Sequence, residues 1–376
     1  MSEPLISTVA VAGQAGYDPD LIERRLEGLF QVLDRPRIRP GRPPLALVKP
    51  DLEGFTSAGG QGTHPEITAA VARLLRARGY RVAIGESLDR NGGGRGDWRR
   101  RWGYQSVIDR DSLEVCNFNE SPGVAVSVGP HRYYLAGPVG EADLVVSLPK
   151  LRFHPLNHVA GALSSLIDFI PTCHRPLVYR RISSPQTYGA VLIDLLYLIQ
   201  PDITVLDAVG QVRDRGGVDR SVGPINRLIA STDPVAVDVV ASQLTGLAPD
   251  RVASTRLAAD AGLGNAWLEI IRLVGESRSA LRRSYQLHRR NGAGQTISSG
   301  TAAVTEEPDL RPTIDIGRCT GCRDCVSACP TQALTVGGDC RPVVHAGKCI
   351  GCLSCHDCCR AGAVRAVGST SALPQA

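Results

Sequence analysis

Short apolar runs alternate with longer stretches of helical periodicity over the first 275 residues. The runs are 7–12 (STVAVA), 45–48 (LALV), 81–85 (RVAIG), 143–148 (DLVVSL), 203–206 (ITVL), RLIAS ending at Ser231, and 268–274. Each is short and β-rich enough to read as a buried strand. Between them, residues 19–33 place Leu21, Ile22, Leu26, Leu29, Phe30 and Leu33 at helical spacing. Further helices are expected over about 65–79, 98–109, 186–199 and 248–261, and from Asp233-Pro234 onward. Thr63 is the expected N-cap of the second, and another helix is expected to run from the 150s to about 168. Residues 123–137 alternate as a β-hairpin does.

This alternation predicts an α/β domain with a mostly parallel sheet and flanking helices, over residues 1–275. Residues 276–312 are polar and read as a linker, 313–368 as a small α+β ferredoxin-like domain, and 369–376 as a tail. Open parallel sheets bind ligands at the C-terminal ends of their strands. Lys49, Glu86, Lys150 and Asp207 each sit just after a predicted strand, which points to one cleft. The Gly-rich GGQGTHP (59–65) matches neither a P-loop nor a dinucleotide fingerprint.

The cysteines change the picture most. Ten of twelve lie beyond residue 318, in CTGCRDCVSACP from Cys319 and CIGCLSCHDCCR from Cys349. Each run spaces them C-x2-C-x2-C-x3-C, as in two-cluster bacterial ferredoxins, where the fourth cysteine of each run serves the other run's cluster. The expected sets are Cys319, Cys322, Cys325 with Cys359, and Cys349, Cys352, Cys355 with Cys329. Gly321 and Gly351 fall in the turns, where a residue without Cβ allows positive φ. Arg360 stands where Pro is expected, Cys358 is a spare thiol beside a ligand, and Cys340 has no place in the pattern. A zinc site takes paired cysteines and fits these triplets poorly. Two [4Fe-4S] clusters are the expected cofactors, and no flavin or nicotinamide motif is visible.

Charge and composition narrow the rest. A net charge of +5, spread along the chain, with 5% aromatic residues does not favour nucleic acid. No apolar run is long enough to span a membrane, and no leader is evident, so a cytoplasmic location is expected. Of 42 basic residues only Lys49, Lys150 and Lys348 are lysine. A lysine kept where arginine is the rule marks a place that wants a compact ammonium with an adjustable pKa. Lys348, beside a cluster cysteine, suits tuning of the cluster's electrostatics. After Lys150 comes the densest polar stretch outside the cysteines. His154 and His158 there are four apart, but the Pro155 between them disfavours a shared helix face.

The segments ALVKPD, THPEIT, SLPKLRFHPLNHVAGAL, TVLDAVG and STDPVAVDVVA resemble the DUF362 family, many of whose members carry a C-terminal 4Fe-4S module. The likeness covers roughly residues 7–276 and 313–366. Two departures stand out. Arg152-Phe153-His154 replaces a usual Lys-Thr-His, and Ser164-Ser165 a usual Lys-Asn, which implies a different substrate or a weaker hold on it.

The resulting expectation is an iron–sulfur oxidoreductase, fed by an external ferredoxin or flavodoxin, that reduces a small organic substrate or reductively removes a group from it. Lys49 and Lys150 would hold an anionic or carbonyl group, His154 would donate a proton, and Asp207 or Asp238 would orient a partner or bind a metal. The alternatives are an electron-transfer or docking protein, and a non-redox enzyme with structural clusters.

Overall fold

The computed structural model describes residues 6–33, 44–52, 62–87, 103–121, 123–154, 156–210, 212–213, 221–291, 311–352 and 354–367. In chain order the strands are β1 Ser7–Gly13, β2 Leu45–Pro50, β3 Arg81–Glu86, β4 Glu114–Asn117, β5 Gly123–Val128, β6 His131–Ala136, β7 Leu144–Leu148, β8 Arg152–His154 and β9 His158–Ala160. They continue with β10 Ile203–Ala208, β11 Val212–Arg213, β12 Ser221–Val222, β13 Arg227–Ser231, β14 Ile271–Val274, β15 Arg311–Ile314, β16 Leu334–Val336, β17 Pro342–Val344 and β18 Val364–Val367.

Eight of them form one sheet in the order β14-β1-β13-β10-β7-β2-β3-β4. β13 pairs antiparallel with β1 and β10, and the other pairings are parallel. Seven strands therefore point one way, and their C-terminal ends share one edge.

Helices cover both faces, which is why the strands read as continuous apolar runs rather than alternating ones. Ala46, Val48, Leu144, Val146 and Leu148 pack with the helices Pro19–Leu33, Pro65–Ala77 and Gln105–Asp111. Leu47 and Val145 point the other way, into a core shared with the helix Pro185–Ile199 and the C-terminal cysteine region. Val9, Val11, Leu206 and Ile229 pack with the helix Pro234–Leu244 and with Leu281.

Three local expectations differ. The cap of the helix Pro65–Ala77 is His64, whose ring accepts from the Glu66 N–H. Thr63 is instead buried and bonded to the Leu148 carbonyl. The stretch after Lys150 forms no helix: β8 and β9 make a hairpin in which His154 faces His158, followed by a 3-10 turn, Ser164–Phe169. His158 there has φ of 62°, which a helix could not accommodate. Part of 276–312 is helical, Arg278–Asn291, with Leu281 fully buried. The Gly-rich 89–97 loop and residues 59–61 lie outside the described residues.

The C-terminal region is a small α+β unit. β15 pairs with β18, β16 with β17, and two one-turn helices, Asp324–Ser327 and Ser354–Asp357, follow the cysteine loops.

Candidate functional site

The C-terminal edge of the sheet carries two ion clusters. Lys49 ends β2 with its side chain wholly buried, and Nζ donates to Glu86 Oε2 at 2.9 Å and to the Pro50 carbonyl at 3.1 Å. Asp168 Oδ2 lies 3.6 Å from the same nitrogen, and Phe169 presents its ring. Arg175, also fully buried, meets Asp168 at 3.0 Å and Glu86 at 3.8 Å. Burial pushes the Glu86 carboxyl up to about 8 against the pull of Lys49, and Asp168 adds to the rise. For Lys49 burial lowers the pKa, but Glu86, Asp168 and Asp51 outweigh it and hold the ammonium charged.

At the end of the neighbouring strand β7, Lys150 Nζ donates to Tyr17 Oη at 2.7 Å, Asp207 Oδ1 at 2.9 Å and the Val209 carbonyl at 2.8 Å. Its three protons are thus all placed. Asp207 also accepts from the His64 N–H, and the His64 ring stacks on Tyr17 at 3.8 Å between centroids. Burial and the Asp207 carboxylate raise the Tyr17 phenol far above its ordinary range, so it stays protonated. Burial lowers the His64 imidazole. Tyr17 and His64 are half-buried, the more open members of an otherwise closed group.

Lys49, Glu86, Lys150 and Asp207 therefore share one edge, in two groups. His154 and Asp238 lie elsewhere. His154 Nδ1 accepts from the Leu156 and Asn157 N–H groups, which leaves the ring proton on Nε2, and the ring stacks on Tyr188 at 4.4 Å. Asp238 is buried in the helix Pro234–Leu244 and accepts from the Ala162 N–H at 2.6 Å and the Leu163 N–H at 3.0 Å. Burial nevertheless raises it to about 7. A Cβ at Gly161 would fall 2.3 Å from Asp238 Oδ1, so the turn and the carboxylate are built around each other. Arg152 reaches Asp51 at 2.6 Å, and Ser165 donates to the Ala162 carbonyl.

Sequence reasoning did not single out Tyr17, His64, Asp168 or Arg175. Tyr17 offered one signal, its place just after β1, in line with the four residues that were singled out.

The cysteines are arranged by a different logic. Cys319, Cys322, Cys325 and Cys359 line one pocket, with Ile314, Pro342 and Val364 among its walls. Burial, then Cys359, Cys322 and Cys319, push the Cys325 thiol up to about 12. Burial likewise raises Cys355, with Cys352, Cys325, Cys349 and Cys329 adding to it. The first group thus takes three cysteines from one run and the fourth from the other, and Cys352 and Cys355 lie within electrostatic reach of both Cys349 and Cys329.

The two halves repeat each other. Gly321 and Gly351 have φ of 71° and 67°. Cys329 Sγ accepts from the Ala333 N–H at 3.1 Å, and Cys359 Sγ from the Ala363 N–H at 3.3 Å. Cys358 instead donates its thiol to the Cys355 carbonyl at 3.4 Å. Among the described residues no His, Cys, Asp or Glu side chains are gathered as they would be around one metal ion. The donor set and the pocket fit a cuboidal iron–sulfur group.

The cysteine unit meets the α/β domain near the first set. Helix Asp324–Ser327 packs on helix Arg175–Tyr179, and the Arg360 guanidinium lies within electrostatic reach of both Cys322 and Cys173. Arg175 carries this contact directly to Asp168 and Glu86.

Residues 46–243 match the family described as Domain of unknown function (DUF362). The chain belongs to this family. Residues 311–334 match a 4Fe-4S binding domain, so this DUF362 protein carries a ferredoxin-type iron–sulfur domain, whose chemistry is electron transfer. The thylakoid-associated protein sll1697 of Synechocystis sp. is 25% identical over 249 residues, 65% of this chain and 76% of that protein. The lactate racemase apoprotein from Thermoanaerobacterium thermosaccharolyticum superposes with a TM-score of 0.42 at 12% identity, over 63% of this chain and 57% of that one. No helix among the described residues is long and apolar enough to cross a membrane.

Proposed function

We propose that this DUF362 protein is an iron–sulfur oxidoreductase that holds two [4Fe-4S] clusters and passes electrons singly to an organic substrate at the C-terminal edge of the sheet, in a reduction or a reductive group removal. The observation that carries the reading is the set of four thiols drawn from both runs around one pocket, in a unit whose two halves repeat each other and which is set against the helix that carries Arg175. When bound, the clusters supply one-electron transfer.

The chain's own residues supply the protons and the positioning. Lys150 and Asp207 fix the Tyr17 hydroxyl, and with the His64 ring it forms the half-buried, proton-bearing part of the edge. Glu86, whose carboxyl burial raises against the pull of Lys49, is a titratable acid at that edge between Lys49 and Arg175. An external ferredoxin or flavodoxin is the electron donor, since the sequence shows no flavin or nicotinamide motif.

One observation favours a second reading, an electron-transfer protein without a substrate of its own. The protons of Lys150 are all engaged within the protein, and Lys49 is sealed among Glu86, Asp168 and Pro50.

The test is anaerobic purification, iron and sulfide analysis, and electron paramagnetic resonance during a reductive titration. About eight irons per chain with spin-coupled signals is the expected result. About four irons, or signals that never change on reduction, would overturn the two-cluster relay. Reduced protein that then transfers electrons to no small molecule, only to protein carriers, would select the second reading.

A further inference from the structure

Over most of the chain, charges of both signs are interleaved and cancel. The excess lies in one helix. Arg278–Asn291 carries Arg278, Arg282, Arg283, Arg289 and Arg290 and no Asp or Glu. Its arginines equal the whole net charge of +5, so the rest of the chain balances. Among the described residues, every other helix of eight residues or more includes a carboxylate.

Elsewhere the fold answers its arginines. Arg73 pairs with Glu23 and Asp111, and Arg110 with Glu66. Arg282 and Arg283 are exposed and make no ion pair among the described residues. Arg278 and Arg282 are four apart, a spacing at which like charges repel along a helix. The helix is nevertheless held in place. Leu281 is fully buried in the same core as the helix Pro234–Leu244, against which Arg278–Asn291 packs. Arg282 and Arg283 are therefore displayed at a fixed place on the body.

Apolar surface lies beside the start of this helix. Arg278 Nη2 donates to the Glu269 carbonyl at 2.8 Å and the Ile271 carbonyl at 3.0 Å, which ties the helix to the 3-10 turn Leu268–Ile270. Trp267, at the head of that turn, is 58% exposed. Ser7 pairs with Ile271, so Ile6, 65% exposed, sits at the same turn. Arg272 is exposed there as well. Between Asn265 and Asn291 the carboxylates are Glu269, which is exposed, and Glu276, which is paired with Arg227 at 2.8 Å.

We propose that the helix Arg278–Asn291, with Trp267 and Ile6 beside it, seats the protein on an anionic phospholipid surface. The arginines meet the headgroup phosphates, and the two apolar side chains enter the interfacial layer. Reversible attachment to lipid takes two such signals together, positive charge and an apolar anchor, and tryptophan favours the interface. A nucleic acid would match the charge but leave Trp267 and Ile6 in water. Attachment of this kind needs no spanning helix. The inference stands apart from the electron-transfer reading, since it concerns where the protein works and not what it reduces.

The experiment is cosedimentation of cluster-loaded full-length protein with two kinds of vesicle, phosphatidylcholine alone and phosphatidylcholine mixed with phosphatidylglycerol. Wild type should bind the mixed vesicles at low salt, be released at high salt, and leave phosphatidylcholine alone. The double variant Arg282→Glu, Arg283→Glu should lower the partition coefficient by roughly tenfold or more. Trp267→Ala should weaken binding and remove a blue shift of fluorescence that wild type shows on the mixed vesicles. Arg24→Glu, Arg25→Glu makes the same change in net charge on the exposed side of the helix Pro19–Leu33, which packs on the other face of the sheet, and should bind as wild type does. Unchanged iron–sulfur absorbance and unfolding midpoints show that the variants are folded. Wild type that ignores the mixed vesicles would overturn the site. So would undiminished binding in Arg282→Glu, Arg283→Glu or in Trp267→Ala, or an equal loss in Arg24→Glu, Arg25→Glu. Displacement from the vesicles by duplex DNA at equal phosphate concentration would assign the helix to nucleic acid and overturn it too.

Discussion

The C-terminal edge of the sheet and the cysteine unit meet at the helix Arg175–Tyr179, and they treat polar side chains in opposite ways. At the edge, charge is answered from within: Lys49 by Glu86 and Asp168, Lys150 by Asp207, Arg175 by Asp168. In the cysteine unit, the thiols of the first set face a pocket, and the bonds that Cys329, Cys349 and Cys359 accept come from backbone N–H groups of their own loops. The first arrangement is complete without a ligand. The second repels itself when ionised and becomes stable when iron neutralises it. A set of ionisable groups in a fold is thus a site to the extent that its members leave one another unsatisfied.

The comparison is broken most severely at the cysteines. Cys325→Ala and Cys355→Ala each remove a buried thiol from a different set, and each should lose at least half of the bound iron. Iron and sulfide analysis with visible absorbance reads the loss, and full iron in either variant would contradict the assignment of that set.

Lys49→Met comes next. It leaves Glu86 and Asp168 sharing one fully buried cation, and breaking a buried pair in this way costs about 3–5 kcal/mol. A urea unfolding curve measures it. Lys49→Met combined with Glu86→Leu should recover much of the loss, because Arg175 and Asp168 remain paired at 3.0 Å. No recovery would mean that the two carboxylates act as one unit.

Asp238 gives a smaller, pH-dependent effect. Its folded pKa of about 7 lies above the ordinary carboxyl value of 3.8, so the folded protein binds this proton more tightly than the unfolded chain. The stabilisation is full below the unfolded value and is lost as pH rises through about 7. Asp238→Asn should therefore show a shallower decline of thermal stability across that window than wild type. Parallel profiles would assign the titration elsewhere. The smallest effect belongs to Arg360→Ala, which removes a half-exposed pair with Asp324 and should cost under about 1 kcal/mol by the same urea measurement.

Much of the fold was legible because the inner strands of the sheet are buried on both faces and so read as apolar runs. β1, β2, β3, β7, β10 and β13 fall where those runs predicted, within two residues at either end. The hairpin of β8 and β9 was not legible. Its strands are three residues long, and two histidines four apart imitate a helical period that Pro155 and the positive φ of His158 rule out. The strand-end residues could be read as a group, but what they do to one another could not. Tyr17 is 133 residues from the lysine it binds, and no local pattern announces such a contact. The 4Fe-4S domain was legible because iron–sulfur ligation imposes its spacing on the chain itself.

The crossing between the two runs has a consequence in time. The first set takes its fourth cysteine, Cys359, from the far run, so it cannot be completed until the ribosome has made nearly the whole chain. By then residues 46–243 have long since emerged, and domains generally fold in the order they are made. The α/β domain can therefore be a finished floor, with the helix Arg175–Tyr179 in place, before iron is first captured. Closure of that set becomes a late event, made on a domain already folded.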